Sequence, residues 1–238
     1  MFTGPNIVTD GLVLHLDAGN TKSYPGSGTT WFDKSGNENN GTLANGPEFS
    51  SANGGSIVFD GSNDYVILPD LVNIRLVDVT FSFTFKLNNT TSDGDLLNKG
   101  NHSTDAPLLI WFDKIVGGGS NIGRTNCISV LLYDGTNGFH WISTGSDTIN
   151  INTLYVLDVV IKPSTNELLL YLNGVLSNSN IKNYNGIQNS SNNFILGAAG
   201  NGGRNLSGNI YSYKSYNISL TSQEVLQNYN ATKSRFNL

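Results

Sequence analysis

Between residues 79 and 87 the chain alternates without a break. Val79, Phe81, Phe83, Phe85 and Leu87 fall on one side of an extended segment, and Thr80, Ser82, Thr84 and Lys86 on the other. A period of two belongs to a strand, so the aromatic side faces a core and the polar side faces solvent. A sheet built on such a strand needs a second layer to cover its apolar face. Shorter runs of the same kind recur at 12–16, 56–59, 65–68, 108–112, 127–133, 139–142, 155–161, 168–175, 194–196 and 210–216. Turn chemistry separates them. Asp60-Gly61-Ser62-Asn63 predicts a hairpin between two of the runs, as do Asp134-Gly135 and Pro163-Ser164-Thr165-Asn166. Asp93-Gly94-Asp95 reads as a turn. The loops 19–28 and 34–46 are long and rich in Gly and Asn, but Trp31 and Phe32 anchor them. No internal repeat or linker-like break interrupts the series, so one all-β, two-sheet antiparallel sandwich over residues 1–238 is expected.

One helix stands out against this background. Thr221-Ser222-Gln223-Glu224 has the spacing of a capping box, and Leu220 and Val225 that of a hydrophobic staple. Val225, Leu226 and Tyr229 then supply a face to dock on the sandwich.

Composition narrows the partners. Only 13% of the 238 residues are charged and the net charge is −5. No block of Lys or Arg offers a phosphate footprint or a polybasic membrane patch, so neither nucleic acid nor membrane is expected as a partner. No apolar run approaches the ~20 residues of a membrane helix. Residues 1–20 show neither the basic nor the apolar region of a signal peptide, so export by that route is not expected. The single cysteine, Cys127, alternates with Ile128, Val130 and Leu132 and reads as a small buried side chain.

Five stretches together resemble a known family. Residues 11–20 (GLVLHLDAGN) match its opening strand, and residues 31–43, with Asp33-Lys34-Ser35-Gly36-Asn37 and Asn40-Gly41-Thr42-Leu43, match its Asp-x-Ser-Gly-Asn loop. Residues 57–66 (IVFDGSNDYV) match its Phe-Asp-Gly turn, residues 170–174 (LYLNG) its Leu-Tyr-x-Asn-Gly strand, and residues 208–229 its closing strand and helix. The chain is thereby similar to laminin-G-like domains of the concanavalin A-like lectin/glucanase jelly roll. That resemblance implies a jelly roll with binding loops at its rim. It fixes no function, because the fold hosts lectins, glycosidases and adhesion modules. The chain also resembles domains in structural proteins of tailed bacteriophages. This implies a virion surface protein, a decoration, fibre or tail-associated element assembled in the host cytoplasm. Its partners would be other virion proteins or cell-surface glycans, and a homo-oligomer would suit either. A free carbohydrate-binding module is the alternative.

Catalysis is not expected. Glycoside hydrolysis uses two facing carboxyl groups, and the family's glucanases carry them as Glu-x-Asp-x-x-Glu. The four glutamates, Glu38, Glu48, Glu167 and Glu224, show no such pattern. His15, His102 and His140 have no metal-type spacing, and no Gly-x-Ser-x-Gly elbow occurs. For ligand binding, aromatic and polar side chains near apolar strands single out Trp111, Tyr133, His140, Asn201 and Arg204, with Trp141 beside them. For metal, the oxygen-rich loops 33–40 and 60–64 nominate Asp33, Asp60 and Asp64, and calcium is the ion such oxygens would suit. Turn capping is the competing role for these aspartates.

Overall fold

In the computed structural model, the residues described are 5–71, 77–89, 92–101, 105–114, 125–135, 138–181, 184, 186–187, 190, 192–200, 203–236 and 238. The strands in chain order are β1 (Leu12–Asp17), β2 (Thr30–Trp31), β3 (Gly41–Ala44), β4 (Glu48–Ser50), β5 (Ser56–Asp60), β6 (Tyr65–Leu68), β7 (Val79–Leu87) and β8 (Gly94–Asn101). They continue with β9 (Asp105–Asp113), β10 (Cys127–Tyr133), β11 (Phe139–Ser143), β12 (Leu154–Lys162), β13 (Glu167–Leu172), β14 (Val175–Ile181), β15 (Phe194–Leu196) and β16 (Ser207–Tyr216). The helix α1 (Ser222–Phe236) follows.

Two antiparallel sheets result. Sheet A runs β14-β13-β12-β7-β16-β5-β4, with β1 also paired to β16, and sheet B runs β11-β10-β9-β8-β15-β6-β3-β2. The alternating strand β7 lies at the middle of sheet A. Its aromatics enter the space between the sheets, where the Phe81 ring meets Phe194 of sheet B with centroids 6.2 Å apart. Cys127 is buried, as its alternation predicts. One side of the sandwich is closed where β14 meets β11: Asn178 and Asn180 donate through Nδ2 to the carbonyls of Ser143 and Trp141 at 2.8 and 2.9 Å.

Three expectations for the sheets change. The polar side of β7 does not face water: Thr80, Ser82 and Thr84 are buried. The segment before β1 and the helix α1 cover that face, packing Val8, Leu220 and Val225 over Val160, Tyr171 and Tyr216. The turn at 60–64 is not a hairpin. β5 pairs with β4 and β16 in sheet A, whereas β6 pairs with β3 and β15 in sheet B, so the turn arches from one sheet to the other. The residues at 93–95 are not merely a turn either, because Gly94 and Asp95 begin β8.

The helix begins as its capping box dictates. The Thr221 amide donates to Glu224 Oε2 at 2.8 Å and the Glu224 amide to Thr221 Oγ1 at 3.3 Å. One member of its docked face differs from the expected Val225, Leu226 and Tyr229. Leu226 is exposed and Asn228 is buried instead. Asn228 joins both ends of the chain: Oδ1 accepts from the Val8 amide at 2.8 Å and Nδ2 donates to the Tyr216 hydroxyl at 3.1 Å. No helix among the described residues is long and apolar enough to cross a membrane.

Candidate functional site

The outer face of sheet B carries the chemistry. In β9 the side chains of Leu109 and Trp111 point away from the core, as does Leu131 in β10; with Trp141 of β11 packed against them they form a second apolar cluster. Trp111 and Trp141 meet edge to face, 5.5 Å between centroids. The Arg204 guanidinium lies 4.9 Å from the Trp111 ring centroid. It also pairs with Asp95 through Nε at 2.8 Å and with Asp93 through Nη1 at 3.4 Å. Asn98 donates from Nδ2 to the second oxygen of Asp95 at 3.1 Å. The backbone repeats the grip, with the Asp95 amide donating to the Arg204 carbonyl at 2.9 Å. Arg204 holds a left-handed backbone, φ 50°. For a residue with a Cβ this costs on the order of 1 kcal/mol, which the ion pairs and the stacked ring offset.

Arg204 is thus an anchor for the loop between β15 and β16. Two further backbone bonds close that loop, from the Ala199 amide to the Gly203 carbonyl and from the Leu206 amide to the Gly197 carbonyl, at 2.9 and 2.8 Å. The anchored loop forms one wall of an open cavity of about 330 Å³, lined by Asn45, Tyr65, Ile67, Asn193, Ile195, Ala199 and Gly200. Tyr65 and Ile67 come from β6 and Ile195 from β15, which pairs with β6 at Ile67 and with β8 at Asn98. The cavity floor therefore adjoins the Asn98–Asp95–Arg204 chain. Gly200 is needed where it stands, since a Cβ there would lie 2.2 Å from the Gly100 carbonyl oxygen. The cavity offers one aromatic side chain, an aliphatic floor and two exposed side-chain amides, and no carboxylate is among its lining residues. Such a surface suits reversible binding of a polyhydroxylated ligand.

Of the residues nominated from sequence, Trp111 and Arg204 come together as described. Tyr133 shares their face but lies further along β10, stacked on the exposed Phe139 with centroids 4.8 Å apart. His140 points the other way: it is buried, bonded through Nε2 to Asp134 at 3.3 Å and packed on Tyr184. It therefore belongs to the interior rather than to the ligand face. Asn201 lies outside the described residues, as does His102. Tyr65, Ile67, Asn193 and Ile195 were not singled out from the sequence. Tyr65 and Ile67 share one face of β6, whereas Ile195 stands alone on its face of β15 beside Asn193, and only the sheet order makes them neighbours.

The three aspartates nominated for calcium do not converge. Asp33 accepts from the amides of His15, Ser35 and Asn39 at 2.8, 2.8 and 3.0 Å, and from the Ser35 hydroxyl at 2.6 Å. Asp60 accepts from the Ser62 amide at 2.7 Å, and that bond holds its carboxyl below the usual range. Asp64 accepts from the Asp60 amide at 3.0 Å, and burial pushes its carboxyl up. Asp60 stands beside Ser207 and His15 beside Lys214 at opposite ends of β16. At ~3.3 Å per residue the two loops are ~20 Å apart, too far to share an ion. Among the described residues no three acidic, His or Cys side chains gather as a metal site.

Comparisons with known proteins place this architecture. A family model described as the Concanavalin A-like lectin/glucanases superfamily matches residues 60–226. No curated protein matches the chain in sequence. Among solved structures, the binding domain of Paraclostridial Mosquitocidal Protein 1 superposes with a TM-score of 0.71 at 19% identity, over 94% of this chain and 52% of that one. The botulinum neurotoxin serotype D binding domain gives 0.68 at 14%, over 94% and 53%. The binding domain of botulinum neurotoxin DC, solved with rat synaptotagmin II, gives 0.70 at 15%, over 94% and 52%. The chain spans about half the length of these proteins, and the likeness is one of fold.

Proposed function

Because this chain belongs to the Concanavalin A-like lectin/glucanases superfamily, we propose that it is a non-catalytic, glycan-binding module whose site is the cavity on the outer face of sheet B. The observation that carries this reading is the cavity's lining: an aromatic ring, aliphatic side chains and amides, without a carboxylate to protonate or attack a glycosidic bond. Two structural neighbours support a glycan as ligand. Cell entry of botulinum neurotoxin type C depends on two ganglioside molecules, and the DC binding domain has been solved with SialylT. In this reading Tyr65 is the stacking platform. Arg204 is a positioning residue that holds the loop wall through Asp95 and Trp111.

A glycan array with the purified chain and its Tyr65→Ala and Arg204→Ala variants tests the proposal. Binding to at least one glycan class is expected, falling tenfold or more in Tyr65→Ala. Arg204→Lys should fail to restore what Arg204→Ala loses, because an ammonium cannot reproduce the forked, stacked contact. Retention of full affinity in Tyr65→Ala would move the site elsewhere, and release of reducing ends from a polysaccharide would make the chain an enzyme. The finer setting, a virion surface protein, rests on the resemblance to phage structural proteins alone. A protein inventory of purified particles tests it.

A further inference from the structure

Resting on that reading, we propose that the cavity selects neutral glycans and discriminates against sugars carrying a carboxylate or sulfate, because its lining is uncharged and the cations beside it are already matched by aspartates. Its seven lining residues include no Asp, Glu, Lys, Arg or His. Two cations lie on the strand next to it or on its loop. Arg204 is held between Asp95 and Asp93, two negative charges against one positive. Lys99 of β8 is fully buried, with Nζ 2.9 Å from Asp70 and 2.6 Å from the Asn192 carbonyl. Lys99 cannot turn to a new anion without abandoning Asp70, and beyond its two ion pairs Arg204 keeps only Nη2, which is buried away from solvent.

The background charge points the same way. Asp95 stands behind Asn98 at the cavity floor. Asp64 stands behind the rim residue Asn45, its Oδ1 3.9 Å from the Cβ position of Gly46. Asp93 and Asp95 together outnumber Arg204 by one charge, and Asp64 adds another behind the rim, so an anionic ligand meets repulsion that salt only partly screens. A neutral sugar meets none of this. Its hydroxyls find both donors and acceptors in the exposed amides of Asn45 and Asn193.

The test compares matched ligands that differ only in charge. Immobilised oligosaccharides ending in a uronic or sialic acid are presented beside their methyl esters, together with neutral galactose-, glucose- and mannose-terminated glycans. The expected result is that each free acid binds at least tenfold more weakly than its ester. Binding of neutral glycans should change less than twofold between 50 and 500 mM NaCl, on the order expected when no ion pair forms. Asn193→Lys should narrow the gap between acid and ester by about tenfold, as one uncompensated charge at the rim does. Equal or tighter binding of the free acids overturns the selectivity and leaves glycan binding standing. Binding of no glycan at all overturns both.

Discussion

A row of side chains crosses the outer face of sheet A in register: Tyr171, Asp158, Ser82, Lys214 and His15, on β13, β12, β7, β16 and β1. Two of them, Asp158 and His15, respond to pH with opposite sign in the acid range. Burial pushes the Asp158 carboxyl from 3.8 up to about 6, so between those values the folded chain keeps a proton that the unfolded chain releases. Stability therefore falls as pH rises through that window, by about 3 kcal/mol. Burial, and then the neighbouring Lys214 charge, bring His15 from 6.5 down to about 4, so there the unfolded chain holds the extra proton. Its contribution rises with pH from about 4 to 6.5 by a similar amount, about 3 kcal/mol. The two nearly cancel, and urea denaturation should give the wild type a shallow profile from pH 4 to 6. Asp158→Asn should gain stability with rising pH across that window and His15→Gln should lose it. Parallel profiles for all three proteins would refute the assignment. Asp33 makes a second prediction at this scale. Four donors converge on it, and Ser35, Asn37 and Asn39 of the same loop bond to the β1 carbonyls of Leu12 and Val13. Asp33→Ala should cost about 3 kcal/mol at pH 7, read as a fall in melting temperature that is unchanged by a calcium chelator. A wild type that loses stability in chelator while the variant does not would instead put calcium at Asp33. The residues of this loop were visible in the sequence as a motif. Their role was not, because the bonds that tie the loop down go to β1, some twenty positions earlier.

Elements were legible wherever their signal is local. The start of α1 is written in four consecutive residues, and both reciprocal bonds of the capping box form. Thr221→Ala should therefore destabilise the chain by about 1 kcal/mol, measured by urea denaturation, while Thr221→Ser should change it little. What a capping box cannot say is how the helix rolls on the sheet. The rotation that buries Asn228 and exposes Leu226 is set by Val8 and Tyr216, one from each side of the sequence. The arch at 60–64 shows the same limit. Asp60 and Gly61 specify a tight turn, but which sheet each flanking strand joins is decided by β16 and β15, far along the chain. β8 was obscured for a further reason. Asp95 at its start resembles a turn residue until Arg204, 109 positions later, is brought to it. The candidate site shares that difficulty: Tyr65, Ile67 and Ile195 each look like ordinary strand residues, and only the pairing of β6 with β15 builds a floor from them.

At the scale of the whole molecule the two ends of the chain are interlocked. β1 pairs with β16, so the first and last strands are neighbours in sheet A. Arg235, near the end of α1, grips Asp17 with Nη1 at 2.7 and 2.9 Å from the two carboxylate oxygens, and bonds the Gly54 carbonyl as well. Between the sheets lies one continuous core drawn from strands throughout the sequence, from Leu14 to Tyr213. No cut in the chain would leave two halves each with its own apolar interior, because β7 and β12 in the centre need β16 on one side and the sheet B strands above them. This interlocking predicts that the described strands and α1 unfold as a single cooperative unit. Calorimetric and van't Hoff enthalpies should therefore agree, and tryptophan fluorescence should report the same transition as far-ultraviolet circular dichroism. Trp31 sits in the core at the β2 edge, whereas Trp111 and Trp141 sit on the opposite, outer face of sheet B. The fluorescence signal thus samples both the interior and the proposed ligand face. If the outer cluster melted first, fluorescence would lead circular dichroism, and ligand binding to the cavity would raise only the earlier transition. If the molecule is one unit, a bound glycan raises the single transition in both signals together, by RT ln(1 + [L]/Kd) at the midpoint.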